Sequence, residues 1–341
     1  GIGFFRGGAR PPTSLIVEFI DQMRLRGYGI EQTCKVLADY GIKFSPRGYR
    51  AARGRALSER DRMDQQIINV LEELHLLDDK GRKRPETLYG ARKMWRYLQR
   101  NGFPEVARCT VERLMRHLGM QGMVRGKAQR TTIPGKDGKR AGDLLNRNFD
   151  TDAPNKVWVT DFTYVRTWAG FVYVALVIDL YARKIVGWSA STTMDTMFVE
   201  EALHMAIWTR AQQGHHLQTG PHLAQEDRTI HHSDAGSQYT SLRYTETIDL
   251  EGLRPSIGTV GDAYDNAQAE SVMGLFKNEA VRKDSPFRVG PLKTVTDVED
   301  LTLAWVTWYN QDRLHSTIDY QTPSEAEQQY HQESSRHGVA A

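Results

Sequence analysis

Residues 157–189 read VWVTDFTYVRTWAGFVYVALVIDLYARKIVGWS, and this stretch decides the architecture of the C-terminal half. Val157 to Val165, Phe171 to Ile178 and Lys184 to Ser189 are rich in Val, Ile, Tyr and Trp, with a turn at Trp168-Ala169-Gly170. Three adjacent strands with short turns predict a meander. Downstream, Met197 to Arg210 carries an amphipathic helical pattern, Thr229 to His232 a short fourth strand, Ser241 to Glu251 a helix and Arg254 to Ile257 a fifth strand. Strands first, then helices alternating with strands, predict an α/β domain with a mixed five-stranded sheet and helices on its faces. Asp265 to Arg282 and Asp297 to Asn310 read as further helices, with Trp305, Trp308 and Tyr309 as core packing rather than base-stacking residues.

The N-terminal half is helical throughout. Residues 14–27 place Leu15, Ile16, Phe19, Ile20 and Met23 on one stripe with Ser14 as candidate N-cap; Gly29 to Gly41 reads as a second helix, and Ser45-Pro46 caps a third. Three short helices with tight Gly turns over 13–56 suit a helix-turn-helix unit. A second helical unit at 60–124 comprises Arg62 to Leu77, Tyr89 to Asn101 and Thr110 to Leu118, with Thr110 as candidate cap. Residues 125–153 form a basic linker, 154–330 the α/β domain and 331–341 a flexible tail.

Charge is distributed unevenly. Residues 1–150 hold 30 Lys/Arg against 17 Asp/Glu, whereas 151–341 hold 15 against 25, so the formal net charge of +3 hides halves of opposite sign. A basic half is the usual footprint of a nucleic-acid binder, because neutralising phosphates releases condensed counterions. The densest segment, Lys80 to Arg147, has 18 Lys/Arg against 5 Asp/Glu. Arg92, Lys93, Arg113, Arg116, Arg125, Lys127 and Arg130 are the candidate DNA contacts; Arg113 and Arg116, three apart on one helix, could reach the same groove. The ordinary alternative for that pair is two solvated arginines. The longest apolar stretch falls far short of the ~20 residues of a membrane helix, and the first residues lack the pattern of a signal peptide. Two cysteines without a CxxC or Cys/His cluster argue against a disulfide framework or zinc finger, and a reducing cytoplasm is the expected location.

The candidate chemistry rests on carboxylates. Metal-assisted displacement at phosphorus uses two ions ~3.5 to 4 Å apart, and hard ions such as Mg²⁺ take a few carboxylate oxygens plus water and substrate phosphate. Asp161 stands mid-strand, where a charge must face the edge of the core or a site; Asp234 ends the fourth strand, the place where open α/β sheets put their ligands. Glu270 lies in a helix opened by Tyr264-Asp265-Asn266-Ala267, and Asn266, Glu270 and Lys277 share one helical face. A solvent-facing Asp161, a turn-forming Asp234 and a surface Glu270 are the ordinary alternatives. His215, His216 and His222, without zinc-ligand spacing, read as structural or solvated, and His232 as a hydrogen-bonding neighbour of Asp234.

Context around the acids separates these readings. Trp158 to Tyr164 (WVTDFTY), His232 to Tyr239 (HSDAGSQY), Tyr264 to Ser271 (YDNAQAES) and Trp308 to His315 (WYNQDRLH) resemble the bacterial insertion-sequence transposases that share the retroviral integrase core, as does the interval of 35 residues between Asp234 and Glu270. The resemblance spans roughly residues 15–330, including Tyr89-Gly90-Ala91-Arg92 and Val106 to Val111. It implies a ribonuclease-H-like core with Asp161, Asp234 and Glu270 as catalytic residues and ligands of two Mg²⁺ or Mn²⁺ ions. It also implies that Lys277 contacts the element's end DNA, that Asn266 supports the acidic cluster beside that DNA, and that the partners are double-stranded terminal inverted repeats and target DNA. A homo-oligomer assembled on DNA is expected, with no membrane partner. Relatives made by frameshift fusion carry a further helix-turn-helix and a leucine zipper; no sustained heptad occurs here, so the chain reads as the second-frame portion.

Two other readings remain at this stage: a non-catalytic DNA-binding regulator, which would lose an acid of the triad, and a ribonuclease-H-type nuclease, which would cleave without joining and needs no basic helical units. The charge asymmetry carries a measurable consequence. If ~6 phosphates are neutralised, the logarithm of DNA affinity is expected to fall against the logarithm of salt concentration with a slope near −5, measured by fluorescence anisotropy.

Overall fold

The computed structural model describes residues 11, 13–54, 58–124, 144–145, 151–215, 217, 224, 227–258 and 266–336. Contacts divide the chain into two compact units, 1–67 and 68–341. In the first, α1 (Thr13–Leu25), α2 (Ile30–Asp39) and α3 (Pro46–Gly54) close around Ile16, Ile20, Cys34, Leu37, Ile42 and Tyr49. Tyr49 donates to the Asp21 carboxylate at 2.5 Å and accepts from Arg24, which fixes α3 against α1. Ser45 caps α3 through the Gly48 N–H, as its sequence predicts. Ser14 is not a cap, because α1 already starts at Thr13 and places Ser14 in its first turn.

Helix α4 (Glu59–Leu74) runs across the division at Ile67. In the second unit a 3-10 turn, Pro85–Leu88, leads into α5 (Ala91–Arg100), followed by α6 (Arg108–His117). Thr110 is not the cap of α6 either: the helix begins two residues earlier, with Ala107 as N-cap and no side-chain cap bond.

The sheet comprises β1 (Val157–Thr167), β2 (Gly170–Asp179), β3 (Lys184–Ser191), β4 (Ile230–Ser233) and β5 (Arg254–Ile257), in the spatial order β3-β2-β1-β4-β5. The first three strands pair antiparallel; β4 and β5 extend the sheet in parallel. This is the mixed five-stranded α/β sheet expected from the sequence. α7 (Thr196–Gln212) and α8 (Leu242–Leu250) cover one face around Trp158, Ala175, Val177, Phe198, Leu203 and Tyr244. α9 (Ala267–Phe276), α10 (Val295–Gln311) and α11 (Pro323–Arg336) complete the unit. The helix expected over Asp265 to Arg282 is shorter at its start and changes to a π-helical turn over Lys277–Val281. α11 reaches Arg336, so the segment read as a tail from residue 331 is helical to that point.

Edge strand β3 is anchored by one amide. Ile185 pairs with Ile178 of β2 next to a bulge at Val186, and the Asn310 side chain on α10 accepts from the Ile185 N–H at 3.0 Å and donates to its carbonyl at 2.8 Å, in place of a strand beyond the edge. Trp305, Trp308 and Tyr309 on the same helix are buried, as core packing requires. Charge is buried too: Arg210 on α7 pairs with Asp179 at 2.8 Å and with Glu327 on α11 at 2.5 Å, and Lys184 pairs with the other Glu327 oxygen.

Gly187 on β3 is where α7 approaches the sheet most closely: a Cβ there would stand 2.2 Å from the Ala202 carbonyl oxygen and 2.7 Å from the Ala206 nitrogen. Both contacts are backbone, so α7 itself would have to move. Gly187→Ala is therefore expected to lower stability by about 1–3 kcal/mol, read from the urea midpoint at unchanged m-value.

Candidate active site

The site forms where the sheet runs out of partners. β1 has 11 residues and β4 only four, and their parallel pairing ends at Val159↔His232. Beyond that register the edge of β1 facing β4 is open, and the residue after β4, Asp234, comes off the strand end beside it. Asn266, the N-cap of α9, substitutes for the missing strand: its Nδ2 donates to the Thr160 carbonyl at 3.1 Å. That bond fixes the start of the helix bearing Glu270 against the residue preceding Asp161. Because its amide is committed to β1, Asn266 makes no side-chain cap bond, and its Oδ1 is buried without a hydrogen-bond partner among the described residues.

The structure brings Asp161, Asp234, Glu270 and Lys277 into one electrostatic neighbourhood. Burial pushes the Asp161 carboxyl well above the ordinary carboxylate value, and the charges of Asp234 and Glu270 push it further; the Phe162 N–H and the Lys277 ammonium act in the opposite direction. Burial also raises Asp234, against the pull of the Gly236 N–H. Lys277 is half-buried and lowered by that burial, partly offset by Asp161; its Nζ lies 5.0 Å from the Tyr164 ring centroid. Beneath the cluster, buried Tyr239 places its hydroxyl 3.4 Å from Thr160 Oγ1.

Each aspartate has one oxygen engaged by backbone. Asp161 Oδ1 accepts from the Phe162 N–H at 2.8 Å, and Asp234 Oδ1 from the Gly236 N–H at 3.0 Å. Asp234 thus also makes the turn that its Asp-Ala-Gly sequence suggested, and a Cβ at Gly236 would meet that same oxygen at 2.9 Å. Glu270 is exposed on α9. Among the described residues no three His, Cys, Asp or Glu side chains are gathered closely enough to hold one ion. The donor set, all carboxylate oxygen and near one cationic lysine, has the hard-oxygen chemistry that suits Mg²⁺ or Mn²⁺.

The other candidate residues are dispersed. Arg92 is exposed on α5, Lys93 stands 5.4 Å from the Tyr89 ring centroid, and Arg113 and Arg116 are exposed on α6. Arg125, Lys127 and Arg130 lie outside the described residues, as do His216 and His222. Asn266, named among the DNA contacts, is instead buried against β1. His232 Nδ1 lies 2.8 Å from Ser256 Oγ on β5. His215 stacks on His331 at 3.9 Å.

Sequence reasoning missed the work done by the WYNQDRLH segment. Arg313 is buried and binds Glu279 on the π-helical turn through Nε and Nη2, while Trp305 Nε1 donates to the same carboxylate at 3.2 Å. Tyr89 donates to the Asp312 carbonyl at 3.2 Å and accepts from the Leu314 N–H at 3.0 Å, joining the two distant motifs. Gly122 passes so close to Gly90 that a Cβ would stand 2.3 Å from its nitrogen. Only the unexplained charge of Arg313 inside an aromatic-rich helix end could have signalled this.

Family profiles described as "Integrase core domain" match residues 151–263 and 251–323, and one described as "HTH-like domain" matches 63–128. A Mycobacterium tuberculosis chain assigned to the transposase of insertion sequence element IS986/IS6110 is 47% identical over 249 residues, 73% of this chain and 84% of that one. The chain belongs to the insertion-sequence transposases. The Shigella sonnei transposase for insertion sequence element IS629 is likewise 47% identical, over 72% of this chain and 75% of its own length. The HTLV-2 integrase catalytic core domain, solved in complex with magnesium, is similar at 13% identity and a TM-score of 0.36, over 52% of this chain and 98% of that one. As an insertion-sequence transposase with an integrase core, the chain is a DNA polynucleotidyl transferase of the integrase type with a helix-turn-helix-like region. No helix among the described residues is long and apolar enough to cross a membrane.

Burial of Asp161 among like charges has a testable sign. In the unfolded chain it titrates near 3.8, whereas in the folded, metal-free transposase the proton is held to higher pH. Ionisation therefore costs the fold nothing below the unfolded value, and its full cost is present once the pH has passed the folded one. Asp161→Asn removes that cost. The metal-free variant is expected to melt above wild type at neutral pH, with the difference closing as pH falls toward the ordinary carboxylate value; a variant melting lower at neutral pH would contradict it.

Proposed function

We propose that Asp161, Asp234 and Glu270 are the catalytic carboxylates of this transposase, together holding two Mg²⁺ or Mn²⁺ ions, and that a 3′ hydroxyl at the end of the element attacks a target phosphodiester beside them. The observation that carries the reading is the convergence of the Asp234, Glu270 and Lys277 charges on Asp161 at the open edge of β1. Divalent ions bound there would activate the attacking oxygen and stabilise the leaving one.

The chain's own residues perform the remaining work. Asn266 ties the start of α9 to β1, which puts the helix bearing Glu270 beside the strand bearing Asp161. Lys277 neutralises part of the cluster and offers an ammonium to a non-bridging phosphate oxygen of the element end. In the joining step one phosphodiester forms and one breaks: the attacking oxygen bonds to phosphorus, the target's 3′ oxygen leaves, and it takes up a proton. No protein nucleophile is required. The terminal inverted repeats are read by the basic helical units, with Arg92, Arg113 and Arg116 as their exposed candidates, and a homo-oligomer brings two ends together. The HTH-like match at 63–128 favours this over a simple nuclease, which has no need of end recognition.

Single changes Asp161→Asn, Asp234→Asn and Glu270→Gln keep side-chain size and remove one charge. Each is expected to lower strand transfer by orders of magnitude, with duplex binding retained, measured with labelled element ends and Mg²⁺. Full strand transfer by Asp234→Asn would remove the proposal.

A further inference from the structure

The tip of the β1–β2 hairpin presents a row of side chains that the proposed chemistry does not use. Tyr164, Arg166 and Phe171 are exposed on one face of the hairpin, with Trp168 at its turn, 74% exposed. Arg166 pairs with Phe171 in the β1–β2 register, and the Tyr164 and Phe171 rings meet edge to face at 5.2 Å. The same face nearer the sheet centre is covered: Phe162 and Tyr173 pack on Phe198 of α7. α7 leaves the outer half uncovered.

Two lysines from other elements flank the row. Lys277 stands 5.0 Å from the Tyr164 ring centroid and Lys293, just before α10, 5.5 Å from that of Trp168. The tip is held rigidly, because the Trp168 N–H donates to the Leu292 carbonyl and the Ala169 N–H to the Lys293 carbonyl, each at 3.1 Å. Lys293 is itself fixed by its N–H bond to Asp297 in the capping box of α10. Residues 162–173 contain no acid, within a half of the chain that holds 25 Asp/Glu against 15 Lys/Arg. A pre-ordered row of exposed rings, flanked by cations in an acidic half, matches a polyanion with flat faces.

We propose that this hairpin face is a stacking platform for unpaired DNA bases, which it holds on the strand leading away from the reacting phosphate. The position supports it: at ~3.3 Å per residue, Tyr164 lies about 10 Å and Trp168 about 23 Å along β1 from Asp161, and Lys277 joins platform to carboxylates, since it faces both Tyr164 and Asp161. Aromatic side chains bind single strands with little sequence preference because every base has a π-face, and flanking cations follow the backbone. The platform would let an element end or a target stay frayed beside the carboxylates while the basic helices grip the duplex. It deepens the proposed function and depends on that reading only for what happens to the strand once it is held.

The test uses the full chain, a labelled thymidine oligonucleotide and a fully paired element-end duplex, at salt high enough to suppress purely electrostatic binding. Trp168→Ala and Phe171→Ala are each expected to weaken single-strand binding by roughly tenfold to a hundredfold, with melting temperature and duplex affinity unchanged; Trp168→Phe, which keeps a ring, is expected to restore most of it. Single-strand affinity unchanged in the double alanine variant overturns the proposal. So does an equal loss on the duplex, or a fall in oligomeric state by light scattering with single-strand binding intact, which would assign the face to a second copy of the chain. Failure of the catalytic reading registers separately, as strand transfer surviving in Asp234→Asn, and leaves the binding result standing.

Discussion

Holding like charges side by side in a half-buried place is unfavourable, and the catalytic unit is arranged around that constraint. Asp161 sits on β1, the central strand of the five-stranded sheet, Asp234 at the end of the short parallel strand beside it and Glu270 on a helix tied back to β1 by Asn266. None of these elements can relax away without breaking sheet pairing or the Asn266–Thr160 bond. The repulsion is therefore retained in the metal-free protein, where it raises Asp161 and gives a cation something to gain. The same early end of β4 pairing that opens the edge of β1 also leaves the Thr160 carbonyl for Asn266, so the cleft and its strap have one cause.

The scaffold behind the site is stiffened by buried polar contacts rather than by hydrocarbon alone. Arg313 clamps the π-helical turn through Glu279, and that turn starts at Lys277. Tyr89 binds both sides of Asp312–Leu314, so the loop before α5 is anchored to the segment that carries the Arg313 clamp. Further out, Arg100 pairs with Glu325 at the start of α11, and Trp308 donates to Glu86 at 3.3 Å. The exposed arginines of α5 and α6 thus belong to the same compact unit as the carboxylates, which is what a protein needs if DNA gripped by helices is to be presented to a fixed active site. Leaving one partner of a buried pair such as Arg313–Glu279 unmatched typically costs about 3–5 kcal/mol.

Much of this was legible in the sequence, for physical reasons that differ by element. The β-branched and aromatic runs between Val157 and Ile178 are plain because these strands are largely buried, and all five strands and α7, α8 and α10 fall close to where the sequence pattern puts them. Caps were less legible: Ser45 behaves as its Ser-Pro context suggests, but Ser14 and Thr110 fall inside helices already begun, since a polar residue near a helix start looks the same one turn early or late. Asp161 in mid-strand, Asp234 just past a strand end and Glu270 in a helix stand where their local sequence puts them. Asn266, which the sequence suggests as a support and a DNA contact, instead faces the Thr160 carbonyl, a contact between residues 106 apart that has no local signature. The π-helical turn, the Glu279–Arg313 pair and the docking of Tyr89 are equally long-range and have no local signature.

The account's central claim is that three carboxylates too far apart to share an ion unaided form the metal site of the transposase once a cation is supplied. Crystals grown with Mn²⁺, with anomalous difference density collected at the manganese edge, test it most directly. The account predicts anomalous peaks bounded by Asp161, Asp234 and Glu270, with Glu270 drawn toward the two aspartates. Well-occupied peaks elsewhere on the chain, with none between those three residues, would contradict it.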